Sequence, residues 1–225
     1  MHKPALISLT FDDGLRCQFE QAVPILGQHG FPATFFLLAN VQAKHENKYP
    51  KIEWHERDIS MLKEMARRGH EIGSHTINHC SPTMQNSEAH ESKRWMEERM
   101  GAVEIPSFAY PFYTNNGAIK NAVIHAGYKQ ARTGPSGFYY ASPDSVDWFA
   151  VDSRQIARTG EIVNTWVNPG CWYVLTFHGI GDEREGWEPI TVAEFIRQMA
   201  ELAKLRDSGD VEVVTFKEGA DRLRQ

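Results

Sequence analysis

The sequence predicts an α/β fold built on a largely parallel sheet, and three observations predict it. Short apolar runs alternate with amphipathic stretches of helical period along the whole chain, in six or more β-then-α units. The first run, Ala5–Leu9, leads into Thr10-Phe11-Asp12-Asp13-Gly14. That places two adjacent carboxylates at the C-terminal end of a strand, where α/β folds collect their chemistry. The 225 residues carry no repeat, low-complexity segment or linker, so a single domain over residues 1–225 is expected. A parallel barrel and a doubly wound sheet both fit this periodicity.

The elements follow in order. A helix is expected around Glu20–His29, with Pro24 in or near its first turn and Gly30 as its stop. Ala33–Leu38 reads as a second buried strand. Residues 40–55 are polar and irregular and read as a surface loop. Arg57–Arg68 is helical, with Ile59, Leu62, Met65 and Ala66 on one face and Gly69 as terminator. Glu71–Ser74 is a short strand end, and the charged run Ser87–Arg99 reads as a solvated helix. Phe108–Tyr110, Tyr128–Arg132, Trp148–Val151 and Trp172–Phe177 read as strands, and Ala118–Ala126 as a helix stopped by Gly127. Thr191–Arg206 is amphipathic, with Val192, Phe195, Ile196, Met199, Leu202 and Leu205 inward. Val211–Thr215 is the last strand, before a short helix.

Hydrophobic content is 41% and charged content 24%, ordinary values for a soluble globular protein. A net charge of −5 and a pI near 6.1 argue against a nucleic-acid partner. No apolar run has the length of a membrane span. Met1-His2-Lys3-Pro4 enters the first strand without a signal peptide. The expected compartment is therefore the cytoplasm, or a secreted or periplasmic location for a chain whose leader has been removed. Cys17, Cys80 and Cys171 are widely spaced and odd in number, which favours free thiols. Cys80 follows His79 but points away from the histidine face and is not expected to bind metal.

Gly73-Ser74-His75-Thr76-Ile77-Asn78-His79 sets two histidines four apart. On a helical turn such positions share one face, a common arrangement for a divalent cation. Carboxylates as close as Asp12 and Asp13 repel unless something positive divides the labour between them. A metal would do so, taking one as ligand and leaving the other as a base. Read alone, the Asp pair also fits a helix cap, and a lone H-x-x-x-H also fits core histidines.

Taken together, TFDDG (Thr10–Gly14), G-S-H-T-x-x-H (Gly73–His79) and the late L-x-x-H segment (Leu175–His178) resemble the polysaccharide deacetylase family, carbohydrate esterase family 4. The matches run from residue 6 to about 180. The resemblance implies a distorted parallel (β/α) barrel, commonly seven-stranded. It also implies a single divalent metal held by Asp13, His75 and His79 with positions left open. That ligand set suits zinc first, and also cobalt, manganese or nickel. By resemblance Asp12 is the general base and His178 the general acid. The alternative for His178 is a core histidine satisfied by backbone, but the following Gly179-Ile180-Gly181 loop favours an open site mouth.

In many members the third motif reads R-x-P-Y or R-x-P-W. The matching residues here are Ala109-Tyr110-Pro111-Phe112, so the proline and an aromatic are kept and the arginine is absent. The resemblance gives the Phe112 backbone N–H to the oxyanion, with Pro111 and Tyr113 beside it in the substrate group. Arg132 ends the next strand and is expected to substitute for the missing arginine at Asp12, with Arg154 as the alternative and a surface ion pair as the bland role. Asp144-Ser145-Val146-Asp147-Trp148 fits a family D-x-x-D-W pattern literally but sits in loop-like surroundings. Trp187 follows His178 in a loop and would stack on a sugar ring or serve packing.

The resemblance implies a metal-dependent hydrolase that removes N-acetyl or O-acetyl groups from a carbohydrate. The alternatives are a deacylase or cyclic-amide hydrolase acting on a small acylated substrate, and an inactive carbohydrate-binding homologue.

Overall fold

The computed structural model describes residues 3–39, 48–80, 85–134, 139–157 and 167–225. The chain runs β1 (Ala5–Phe11), a π-helical turn (Gln18–Ala22) continued by α1 (Val23–His29), β2 (Thr34–Leu37), α2 (Glu56–Arg67), β3 (Glu71–Ser74), α3 (Gln85–Met100), β4 (Ser107–Ala109), α4 (Gly117–His125), β5 (Gln130–Arg132), β6 (Tyr139–Tyr140), β7 (Arg154–Gln155), β8 (Trp172–Phe177), α5 (Val192–Asp207), β9 (Val211–Val214) and α6 (Phe216–Leu223).

The sheet is parallel in the order β5-β4-β3-β2-β1-β8, with β7 also parallel on β8 and, among the described strands, only β6 antiparallel. It curls into a distorted barrel. Val151, just before β7, bridges Arg132 of β5, and this single bridge brings the sheet round to itself through seven strands. β9 stands outside that ring. It pairs with Ala5–Ser8 of β1, while β2 pairs with Thr10 and Phe11 on the same edge of β1. The wall is split there, which is the physical source of the distortion.

β1 is buried along its whole length because both of its faces are covered. Its odd positions, Ile7, Leu9 and Phe11, face the helices and pack with Leu26, Leu62, Phe195 and Met199. Phe11 stacks on Phe35 and Phe177 of the two neighbouring strands at 4.9 and 5.1 Å. Burial of a ring of that size is worth about 1.5–3 kcal/mol. The even positions point into the barrel and read Leu6, Ser8, Thr10, Asp12. In register beside them β8 supplies Trp172, Val174, Thr176 and then His178. The interior therefore passes from apolar through hydroxyl to ionisable groups along its axis, and the polar end is the C-terminal end of the strands. At the opposite end α6 closes the barrel. A Cβ on Gly219 would meet the Trp172 indole at 2.2 Å, so only glycine lets the helix approach this closely.

Several expected elements differ. Trp148–Val151 is a turn with one bridging residue, because its chain is spent on closing the ring. Residues 40–47 of the expected surface loop lie outside the described residues. Its later part is only partly at the surface: Lys48, Pro50, Glu53 and His55 are exposed, whereas Lys51, Ile52 and Trp54 are buried, and Ile52 N–H donates to Gly14 O at 3.0 Å. Ile196 of α5 faces solvent rather than the core. The charged α3 is not wholly solvated, since Glu88 is buried. Among the described residues no helix is long and apolar enough to cross a membrane.

Candidate metal centre and acid–base pair

β1 ends at Phe11, and Asp13 and Gly14 then take left-handed backbone, φ +75° and +67°. Asp tolerates that conformation and glycine adopts it freely. The reversal sends Asp12 and Asp13 in different directions. Asp13 Oδ1 lies 3.5 Å from His75 Nε2 and 3.6 Å from His79 Nε2. The three potential ligand atoms lie within 4.8 Å of one another.

His75 and His79 follow β3 on a loop, not on the helical turn expected from their spacing. Thr76 and His79 are left-handed, φ +71° and +48°. Glu88 from α3 replaces the helical hydrogen bonds. It accepts from the N–H groups of Ile77 and Asn78 at 3.1 and 3.0 Å and from Asn78 Nδ2 at 2.9 Å. His75 Nδ1 donates to Ala109 O at 2.9 Å. That bond fixes the tautomer and turns the Nε2 lone pair toward Asp13. Burial, reinforced by His79 and opposed by Asp12 and Asp13, lowers the His75 pKa to about 4 and keeps the imidazole neutral. Asp13 Oδ1 is buried with no hydrogen-bond partner. A neutral imidazole with an oriented lone pair and an unpartnered buried carboxylate oxygen fit a divalent cation. Cys80 is buried and outside the cluster, and all three cysteines are free thiols.

Asp12 turns into the barrel. Its Oδ2 accepts from Arg132 Nη2, and its Oδ1 is buried without a partner. Burial pushes the Asp12 pKa up, but Arg132, His75 and His178 together outweigh it, and the net shift is downward. Arg132 is fully buried. Its Nη1 donates to Ser153 Oγ and Thr176 Oγ1, both at 3.0 Å, and its guanidinium carbon lies 5.4 and 5.5 Å from the Phe36 and Tyr113 rings. Arg154, the alternative, sits half-buried on β7.

His178 follows β8. Its Nε2 lies 3.9 Å from Asp12 Oδ2, and its buried Nδ1 has no hydrogen-bond partner. Trp187 stands edge-on to it at 5.1 Å. The loop that carries Trp187 folds back so tightly that a Cβ on Gly179 would meet Gly186 Cα at 2.9 Å.

The five ionisable groups floor a cavity of about 310 Å³ walled by Tyr49, Tyr110, Phe112, Tyr113 and Trp187. Phe112 is left-handed, φ +56°, and 55% exposed as a residue, and its ring lies 4.5 Å from that of His79. Pro111 is buried at the start of this turn, and Tyr113 Oη donates to Gln155 Oε1 at 3.2 Å. Among the described residues, seven non-glycine positions have positive φ, and Asp13, His79, Phe112 and Tyr113 belong to this site. Strained backbone gathers where function fixes geometry. The D-x-x-D-W match lies elsewhere: Asp147 pairs with Lys120 at 2.6 Å, and Trp148 packs under Arg224.

Sequence reading missed Gln18, Glu88, Ser153 and Thr176. Thr176 was within reach, two residues before His178 on the same face of its strand. The other three carry no local signal.

A curled parallel α/β sheet with an Asp-His-His cluster, a second aspartate and a third histidine at its strand ends defines a class of barrel-like proteins with a candidate metal centre. The polysaccharide deacetylase family model matches residues 2–131, and the chain belongs to that family. It is 28% identical over 161 residues to a peptidoglycan-N-acetylglucosamine deacetylase of Bacillus cereus, covering 70% of this chain and 51% of the relative. A second protein of that name from the same organism is 28% identical over 214 residues, covering 88% and 82%. The chain spans about half the length of other curated relatives it matches, 45% in one Bacillus subtilis case. Among solved structures, the Xyl-CE4 domain of a multidomain xylanase from the hindgut metagenome of Trinervitermes trinervoides superposes with a TM-score of 0.63. It is 16% identical and covers 98% of this chain and 91% of that one. At that identity the likeness is one of fold.

Proposed function

We propose that this protein is a metal-dependent hydrolase that removes acetyl groups from a carbohydrate, with an N-acetylated sugar as the first candidate substrate. The observation that carries the reading is the Asp13, His75 and His79 cluster sharing one cavity with the Asp12 and His178 pair. Membership of the polysaccharide deacetylase family supports it.

Asp13, His75 and His79 would hold the cation, zinc before cobalt, manganese or nickel. When bound, it supplies Lewis acidity that lowers the pKa of water and polarises a carbonyl. The chain's own residues do the rest. Asp12, kept ionised by Arg132, accepts the proton of the attacking water. The oxyanion formed on the acetyl carbon takes a hydrogen bond from the Phe112 backbone N–H. His178 gives a proton to the departing amine or alcohol as the C–N or C–O bond breaks, and acetate is released. Phe112, Tyr113 and Trp187 line the apolar wall against which a sugar ring and the acetyl methyl would rest.

Acetate release from acetylated chito-oligosaccharides, peptidoglycan fragments and acetylxylan tests the reading, with the protein stripped by chelator and then reloaded. Release that depends on the metal is the expected result. Activity confined to small acylated molecules would move the substrate to the alternative class, and no release from any substrate would refute a hydrolase.

A further inference from the structure

Gln18 is a fully buried amide at the first position of the π-helical turn. Its Nε2 donates to the backbone carbonyl of Asp12 at 2.6 Å and to that of His178 at 3.0 Å. A glutamine amide has two N–H donors, and here each goes to the main chain of one member of the acid–base pair. The plane of the amide fixes the angle between its two N–H bonds, so one side chain ties together the residues that follow β1 and β8, beyond the last ladder bond from Asp12 N–H to Phe177 O at 3.0 Å.

Its neighbour works on the same loop. Cys17 Sγ accepts from Ile180 N–H at 3.3 Å and donates to Glu185 O at 3.2 Å. The chain after Asp13 thus ties down both His178 and the loop that carries Trp187. Turns of π type leave the regular helical register and often occur where a side chain must be aimed at a functional site. Here the turn buries Gln18 while Glu20 and Gln21 face solvent.

We propose that Gln18 is a positioning residue: its side-chain amide clamps the main chains of Asp12 and His178 and so sets the 3.9 Å spacing between base and acid. The inference rests on the proposed roles of Asp12 and His178. Gln18 touches no reacting atom. Its effect falls on the step that needs the acid correctly placed, protonation of the leaving group.

The test uses the full chain loaded with zinc and the variant Gln18→Met, which keeps the length of the side chain and removes both donors. The first readout does not depend on turnover. The carbonyl ¹³C signals of Asp12 and His178, and the imidazole signals of His178, should move while zinc content stays at the wild-type level. The second is the leaving-group dependence. An aryl acetate leaves without help from an acid, whereas an N-acetyl amide needs one. The variant should lose about 10–100-fold in kcat on the amide, no more than about threefold on the aryl ester, and keep KM within about twofold.

Equal losses on both substrates would reduce Gln18 to a merely structural group and overturn the proposal. So would carbonyl signals that do not move. A wild-type protein that hydrolyses neither substrate would refute the deacetylase reading, and the carbonyl and imidazole signals would still decide the clamp. Should Gln18→Met fail to fold, Gln18→Asn is read by the same measurements, since its amide is one methylene short of both carbonyls.

Discussion

Arg132, the last residue of β5, reaches through the barrel interior to donate a hydrogen bond to Asp12, 120 residues earlier in the chain. The guanidinium is fully buried, and Asp12 is its charged partner. Removing one member of a buried ion pair strands the other charge and typically costs about 3–5 kcal/mol, whereas removing both can be nearly neutral. Asp12→Asn and Arg132→Met should each lower stability by that order, and the double variant should recover much of it. Denaturant midpoints of the three variants measure this; additive losses would show that the pair is not coupled. Asp12→Asn should also keep its metal and lose about 10²–10⁴-fold in turnover.

His75→Ala or His79→Ala should abolish stoichiometric metal, and with it activity, while the far-UV circular dichroism stays native. Both histidines lie on a loop held by other contacts, so the fold does not depend on their side chains. Full occupancy by elemental analysis in both variants would dismiss the assigned ligands.

Glu88 holds that loop from α3 through three hydrogen bonds. Groups that orient metal ligands typically contribute 10–100-fold to affinity. Glu88→Ala should therefore weaken zinc binding by about that factor, read by competition with a chromophoric chelator. Unchanged affinity would assign Glu88 to the helix alone.

His178→Ala should retain metal and lose rate, most severely on substrates with poor leaving groups. A series of acetyl esters of rising leaving-group pKa checks this by the slope of log kcat. A slope equal to that of the wild type would exclude His178 as the acid.

Glu71 supplies a pH dependence at the far end of the barrel. It accepts from Thr34 Oγ1 at 2.9 Å, Lys217 N–H at 2.8 Å and Ser107 Oγ. Burial raises its pKa more than these hydrogen bonds lower it. The folded chain then binds this proton more tightly than the unfolded chain. Its contribution is fully present below the ordinary glutamate pKa and is lost as pH rises through the raised, folded value. Urea midpoints should show a stability loss over that window that Glu71→Gln lacks. Parallel curves for the two proteins would contradict the shift.

The local elements were legible because their determinants are local. β1 announced itself as a largely apolar run into Asp12-Asp13-Gly14, and α5 by its amphipathic period. The pairing of β5 beside β4 followed from the handedness of a βαβ unit and brought Arg132 to the right face. Trp148–Val151 misled because its apolar residues close the ring by one bridge instead of forming a strand.

The sequence by itself determined which residues gather at the candidate site and which end of the sheet they occupy, since strand alternation alone puts Asp12 and His178 inside the barrel at its polar end. Tertiary structure decided how they are held. Glu88 holds the His75–His79 loop, Arg132 pairs with Asp12, and Gln18 ties the main chains of Asp12 and His178 together. Each is a contact between chain segments remote in sequence. Such a contact leaves no periodic or local signature, because its energy exists only once the barrel has curled and excluded water from the groups it joins.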